Sequence, residues 1–397
     1  MKNKTKGTEI EINQADKVVD YIIMEGLSSR ATDIHLEIFE SKTRLRYRVD
    51  GALKEVEAPS TELYKDVISE LKNRANLDRS KTGVPQSGRF EMSFKGRRFV
   101  VMLSVLPSHF GEKVTMRLID ADAVLLKLEQ IDFSPANYKI FKELIAAPYG
   151  LLVITGPMGS GKTTTLYATL ASMDSVSNNI MTVEDPVEYT FHGVSQAEVD
   201  DSKNFTYPVA LMSVLKNDPD VVMVGELKDR ETTDVVIKTV LSGHLVLTCM
   251  GASDAAGVFS RFLEDFKLEP YKLNAAVIGV LGQRLVRKVC HKCRENYKPA
   301  DSVFKFFGKD PNKFEAVFQR GRGCEECGNT GFRGRTTIHD LIVPSKEIKE
   351  AVSKKAPAET IKKIAAESGM SLMKEDGWQK ALLGKTTLEE VMKVTKD

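Results

Sequence analysis

Residues 149–167, YGLLVITGPMGSGKTTTLY, hold the residue types that bind a polyphosphate. The spacing G-x-x-x-x-G-K-[ST] is met by Gly156, Gly161, Lys162 and Thr163. Glycines at 156, 159 and 161 let successive backbone N–H groups turn inward around an anion, because no Cβ blocks the close approach. Lys162 supplies a positive charge for the β- and γ-phosphates, and Thr163 a hydroxyl for Mg²⁺. The helix that opens there points its positive end at the anion. Ser160 and Thr164 complete the expected contacts to ATP. A plain glycine turn between a core strand and a helix is the alternative, and the Lys-Thr pair after the last glycine argues against it.

Two carboxylate sites follow apolar runs downstream, Glu184-Asp185 in MTVEDPVEY and Glu226 in DPDVVMVGELKD. Hydrolysis of a bound triphosphate needs a carboxylate to orient and partly deprotonate water, and usually another in the Mg²⁺ hydration shell. Acidic caps at strand ends are the plainer alternative. A strand of this kind ordinarily ends in Asp-Glu, but Gly225 stands in the Asp position. Metal-shell duty then falls on Glu226, or on Glu184 and Asp185, and spacing does not divide the roles. His244, in LSGHLVLTC before the next apolar run, is either a γ-phosphate sensor or a core or capping residue.

Cys290, Cys293, Cys324 and Cys327 form two C-x-x-C pairs, the spacing of a structural tetrahedral Zn²⁺ site. Four protein ligands leave no open position, so such a metal folds a lobe and does no chemistry. Lys288, Lys292, Arg294, Arg320 and Arg322 offset the thiolate charge. Free buried cysteines or a redox pair are the alternatives, and Cys249 stands apart in an apolar run.

At 397 residues the chain exceeds one ordinary core, so two domains and a small third unit are expected. The formal charge of +2 offers no global argument for nucleic acid or an anionic membrane. The apolar runs fall short of the ~20 residues that span a bilayer. The charged start MKNKTKGTEIEINQ lacks the apolar centre of a signal peptide, which places the expected location in the cytoplasm. In that reducing setting paired cysteines hold metal rather than disulfides.

Apolar spacing in residues 14–29 predicts an amphipathic helix, and TDIHLEIFESKTRLRYRVDGALKEV from Thr32 onward predicts strands joined by tight turns. Strand alternation puts Arg44, Arg46 and Arg48 on one face, either solvated or facing an anion. A helix is expected over 62–76 and strands through Leu118. Strand periodicity then gives way over 119–135, a linker. Beyond it, apolar runs at 151–155, 180–183, 220–224 and 245–249 alternate with helical text. That alternation predicts an α/β domain: a parallel sheet covered on both faces, with the nucleotide at its strand ends.

Taken together these stretches resemble the secretion ATPases of type II secretion and type IV pilus assembly. TDIHLE with the arginine strand, PQSGRF and LPSHFGEKVTMRL are similar to that family's N-terminal text, and TVEDPVEY to its aspartate box. LKNDPDVVMVGELKDRET resembles its atypical Walker B, SGHLVLT its histidine box, and GQRLVRKVC, GCEECGNTGFRGR and EDGWQKALLGKTTLEEVMKVT its C-terminal text. The likeness runs from about residue 14 to the end. It implies an N-terminal helix or extension (1–30), an α+β, PAS-like domain (31–130) and a RecA-like P-loop ATPase domain (131–397). The last would include a zinc lobe at 288–335 and C-terminal helices at 345–397.

The resemblance further implies a homohexamer in which an arginine from a neighbouring copy stabilises transition-state charge. Arg89 of the GRF turn leads there, with Arg46, Arg48 and Arg117 behind it. Glu184, Glu226, His244 and Arg89 are the catalytic set so implied. The implied partner is a polytopic inner-membrane platform protein, reached peripherally, with no nucleic acid. Some residues depart from the family pattern: Met102 and Gly251 stand where an arginine and a histidine are usual, and Lys228 replaces an arginine. These departures leave room for a ring scaffold that hydrolyses slowly or on a partner's demand. The zinc lobe favours pilus assembly over a retraction ATPase.

Overall fold

The computed structural model describes residues 14–40, 42–121, 126–311 and 316–396. Parts of the expected extension (1–13), linker (122–125) and zinc lobe (312–315) therefore lie outside the described residues. The chain divides into two compact units, residues 1–124 and 125–397. Among the described residues no helix is long and apolar enough to cross a membrane.

The first unit sets α1 (Gln14–Ser28) and α2 (Thr61–Arg74) against one sheet. Its strands are β1 (Ala31–Ile38), β2 (Thr43–Val49), β3 (Ala52–Val56), β4 (Gln86–Phe94), β5 (Arg97–Ser108) and β6 (Gly111–Asp120). They lie in the order β3-β2-β1-β6-β5-β4, all antiparallel, so β4 is an edge. Period-two alternation sends Ile34, Leu36, Leu45, Tyr47, Leu103 and Met116 into the core with Ile22 and Ile23 of α1. The Tyr47 hydroxyl donates to Ile22 O at 2.9 Å.

The other face is charged and internally paired. Buried Glu37 accepts from Arg44 at 2.6 Å and from Arg46 at 2.7 Å, with Lys113 at 2.9 Å, and Asp33 takes Arg117 at 3.2 Å. The arginine strand is thus neither simply solvated nor awaiting an external anion; its first charges are neutralised within the sheet. Arg89 lies in strand β4 and not in a turn, because QSGRFEMSF alternates between half-buried and exposed positions along its whole length.

The second unit opens with a short 3₁₀ turn at Leu128–Ile131 and α3 (Pro135–Ile145). Then come β7 (Gly150–Thr155), α4 (Lys162–Ala171), β8 (Ile180–Glu184), β9 (Val194–Glu198), α5 (Tyr207–Val214), β10 (Val221–Val224), α6 (Arg230–Leu241) and β11 (Leu245–Met250). The chain continues through α7 (Ala255–Ser260), α8 (Pro270–Ala276), β12 (Val277–Val289), β13 (Arg294–Tyr297), α9 (Asp301–Phe306), β14 (Phe318–Gly321) and β15 (Phe332–Ile342). It ends in α10 (Lys346–Ser353), α11 (Ala358–Glu367), α12 (Met373–Leu382) and α13 (Leu388–Thr395).

The main sheet runs β15-β12-β7-β11-β10-β8-β9, parallel except for β15. Strand β7 is buried at every position because its two faces feed two cores. Leu151 and Val153 pack with α5, α6 and α8, whereas Leu152 and Ile154 pack with α3 and α4. This is the parallel sheet covered on both faces that the alternating text predicts, each fully buried Leu or Ile contributing about 1.5–3 kcal/mol.

Burial would raise the Glu37 carboxyl, but hydrogen bonds from Arg44, Lys113 and Arg46 outweigh it and hold the group at about 2, below its ordinary 4.5. A carboxylate with a depressed folded pKa stabilises the fold above its unfolded value and loses that contribution as pH falls towards the folded one. With its partners partly in water, the contribution at pH 7 is about 1–3 kcal/mol. Calorimetry of the full chain and Glu37→Gln should show that gap at pH 7 and less than about half of it at pH 3. A gap unchanged by acid would contradict the assignment.

Candidate nucleotide site

Successive strands of a parallel sheet end at one edge, so the segments after β7, β8, β10 and β11 converge there. After β7 the chain turns through Gly156, Gly159 and Gly161, at φ 149, 74 and 88°, and enters α4 at Lys162. These left-handed values suit glycine, which adopts them without a Cβ clash. The Lys162 ammonium sits inside the loop, donating to Gly156 O at 2.9 Å and Pro157 O at 3.2 Å. Ser160 is buried, Thr163 half-buried and Thr164 exposed on the first turn of α4.

The loop is fastened on two sides. Thr155 Oγ1 donates to Met250 O at 2.9 Å and accepts from Ala252 N at 3.0 Å, tying it to the end of β11. On the other side Gln283 of β12 donates to Ser160 O at 2.7 Å and accepts from Thr165 Oγ1 at 2.7 Å. Gln283 was not anticipated. Its signal in the text is a lone amide inside the apolar run VIGVLGQRLV, where an unpaired polar group would be costly.

The structure separates the carboxylates that spacing alone could not. Glu184 is 3% exposed. Its Oε2 accepts from the Tyr167 hydroxyl, and its Oε1 from Thr182 Oγ1 at 2.6 Å and Gln196 Nε2 at 3.0 Å. With both oxygens committed, Glu184 locks β8 to α4 and β9. Glu226 and Asp185 are the accessible pair, at 37% and 50% side-chain exposure, and Lys228 stands between them at 4.0 and 3.6 Å. The buried Cys249 thiol records this neighbourhood. Burial pushes it up to about 12, with Lys162 pulling down and Glu226 pushing up.

His244 is a correction. Strand β11 runs alongside β7 with Leu245 opposite Gly150 and Met250 opposite Thr155, so His244 lies at the strand starts. About 20 Å of strand separates it from the loop of its own chain, ruling out γ-phosphate sensing there. Its Nδ1 instead donates to Thr239 O at 3.0 Å, capping α6, and it lines a 710 Å³ cleft with Lys142, Asp174 and Asp220. Arg89 belongs to the first unit, where β4 and β5 pair it with Met102 and β6 pairs Met102 with Arg117. Met102 therefore stands between two arginines on one face.

The four paired cysteines meet beside the β13–β14 ribbon, their Sγ atoms all within 4.8 Å of one another. Separations of 3.9 Å for Cys290–Cys324, 3.9 Å for Cys293–Cys327 and 3.7 Å for Cys324–Cys327 match the ~3.8 Å edge of a tetrahedron with 2.3 Å Zn–S bonds. Burial would raise the Cys327 thiol, but backbone N–H groups of Cys324 and Gly331 donate to its Sγ at 3.2 and 3.3 Å and bring it down, whereas burial pushes the Cys293 thiol up. The donor set fits Zn²⁺. Trp378 of α12 joins the lobe to the sheet domain, packing edge-on against Phe304 and Phe318.

The carboxylate division has a direct check. Glu184→Ala strands Tyr167, Thr182 and Gln196 without their acceptor and should cost about 2–4 kcal/mol in denaturant unfolding. Glu226→Gln should stay within about 0.5 kcal/mol of the parent. Equal effects would overturn the division.

Residues 9–393 match the family described as Type II/IV secretion system protein. The Type II secretion system protein E of Pseudomonas aeruginosa is 40% identical over 381 residues, 96% of this chain and 75% of the relative. The Type IV pilus assembly ATPase PilB of Thermus thermophilus is 38% identical over 385 residues, 97% of this chain and 43% of the relative. Among solved structures, the Legionella pneumophila ATPase DotB superposes with a TM-score of 0.69 at 17% identity, over 98% of this chain and 97% of that one. The pilus retraction motor PilT with bound ADP gives 0.62 at 22%, over 96% and 97%. At these identities the solved structures speak for the fold alone, a mixed α/β fold that this chain shares with them. By the length of the family match and the identity to its curated relatives, this chain belongs to the Type II/IV secretion system protein family.

Proposed function

We propose that the chain is an ATPase that drives assembly of a type II secretion pseudopilus or a type IV pilus. The observation that carries this reading is the convergence, at one sheet edge, of a glycine loop wrapped around Lys162 with the accessible carboxylates of Glu226 and Asp185. The γ-phosphate would lie against Lys162 and the N–H groups of residues 159–163. Glu226 would orient water for attack on γ-phosphorus, breaking the bond to the β–γ bridging oxygen and giving ADP and phosphate. Mg²⁺ would be held by Thr163 and, through water, by Asp185, and would neutralise charge on the β- and γ-oxygens.

The arrangement to which the resemblance points is a homohexamer with Arg89 reaching a neighbour's nucleotide, and Arg117 behind it. Its cytoplasmic ring would meet the inner membrane through a polytopic platform protein. Zn²⁺ on Cys290, Cys293, Cys324 and Cys327 would hold the lobe together and take no part in hydrolysis.

A second reading, a ring that binds ATP but hydrolyses it slowly without a partner, is favoured by Met102, whose apolar side chain interrupts the row from Arg89 to Arg117. Phosphate release by the purified chain, alone and with platform protein or lipid, distinguishes the two. Lys162→Ala should abolish nucleotide binding. Glu226→Gln should bind ATP as the parent does and release phosphate at least about 10²-fold more slowly. A Glu226→Gln chain turning over at the parental rate would contradict the assignment, and tight ATP binding with no turnover under any condition would favour the second reading. Elemental analysis should find one zinc per chain, and Cys290→Ser should lose it with a fall in Tm. A stable, zinc-free parent would remove the metal from the account.

A further inference from the structure

Gln283 and His339 form a buried polar link that the hydrolysis scheme does not use. Both are fully buried, on the paired strands β12 and β15. Only the amide nitrogen of Gln283 can donate to the Ser160 carbonyl, so its Oε1 must face the Thr165 hydroxyl and, at 3.3 Å, His339 Nε2. The loop is shaped to admit it. A Cβ on Gly161 would lie 2.9 Å from the Gln283 side-chain amide nitrogen, and one on Gly156 2.3 Å from the Gln283 backbone carbonyl oxygen. Ser160 and Thr165 flank residues 161–164, where the loop enters α4, so the Gln283 amide holds both ends of that stretch.

On its far side His339 meets the segment that opens the second unit. Its ring stacks on Phe133, centroids 4.5 Å apart and planes 16° from parallel. Its neighbours on β15 hold the same segment: Thr337 Oγ1 donates to Ile131 O, and Thr336 Oγ1 to Asp132, which also pairs with Lys385. The His339 backbone N–H donates to Asp376 at 2.8 Å, and Asp376 pairs with Lys380 at 2.7 Å. Burial holds the imidazole neutral, with one N–H to share. That proton is on Nε2, where Gln283 Oε1 accepts it at 3.3 Å, and Nδ1 carries a lone pair 4.0 Å from Asp376 Oδ2, beyond hydrogen-bond reach. His339 Nδ1 has no hydrogen-bond partner among the described residues.

We propose that Gln283 is a positioning residue for the phosphate loop and that His339 couples the loop's state to residues 128–133, so that nucleotide binding tightens that segment. The inference rests on the nucleotide-binding reading of Lys162. A loop drawn onto a triphosphate would carry Ser160 and Thr165 with it, and the Gln283 amide must follow or lose both bonds. His339 then either follows the amide, carrying its stack on Phe133 with it, or loses its donation to Gln283.

Hydrogen exchange of the full chain, with and without a slowly hydrolysed ATP analogue and Mg²⁺, tests this. The parent should show slower exchange at 156–165 and also at 128–133, the latter by about tenfold. His339→Phe keeps the aromatic stack on Phe133 but has no N–H; it should retain the loop response and lose the response at 128–133. His339→Gln, which restores a donor, should recover it, and Gln283→Leu should lose it with weakened analogue binding. Protection of the loop without any response at 128–133 in the parent overturns the coupling, whatever the variants do. An undiminished response in His339→Phe overturns it as well. No protection at 156–165 in the parent would instead overturn the nucleotide-binding reading itself, and this inference with it.

Discussion

The backbone between Thr155 and Lys162 has to leave a buried strand, turn its N–H groups towards one point and enter a helix within a few residues. The rest of the second unit follows from that constraint. Side chains beyond the motif hold the turn, Thr155 to the end of β11 and Gln283 to Ser160 and Thr165. A phosphate-binding turn gains affinity from being preorganised, since a loop that must be ordered on binding spends part of the interaction on its own entropy. The parallel sheet supplies the rigidity, with both faces of β7 buried in separate cores.

The same edge explains how acidic side chains serve different ends. Glu184, at the end of β8, is enclosed by a phenol, a hydroxyl and an amide and acts as a bolt between layers. One residue on, Asp185 has left the sheet and reaches water, where Lys228 holds it near Glu226. Glycine at 225 suits this crowding: a Cβ there would approach the Tyr207 hydroxyl to 3.0 Å and the Glu184 backbone to 3.5 Å. The site thus does without the usual aspartate at a position where a side chain has little room.

How much of this was legible from residue order depends on whether the information was local. The loop was, because glycines, lysine and threonine act within one turn of chain. The parallel sheet was too, since strands buried on both faces read as unbroken apolar runs such as LLVIT and VVMV. The role of Glu184 was not, because Tyr167, Thr182 and Gln196 come from separate elements and only pairing brings them together. His244 went astray over direction: a residue just before a parallel strand starts at the edge opposite to the loop that follows its neighbour. The arginines of β2 were ambiguous until register set Glu37 opposite Arg44 and Asp33 beside Arg117 and Arg48.

The roles of Lys162 and Glu226 depend on where a cleaving γ-phosphate lies, and the most direct measurement is a crystal structure of the full chain with ADP, aluminium fluoride and Mg²⁺. The fluoride group should lie against Lys162 Nζ and the N–H groups of the glycine loop, with the in-line water on the Glu226 carboxylate and Glu184 still bonded to Tyr167. A fluoride group in the cleft beside His244, or an attacking water held by Glu184, would contradict those roles.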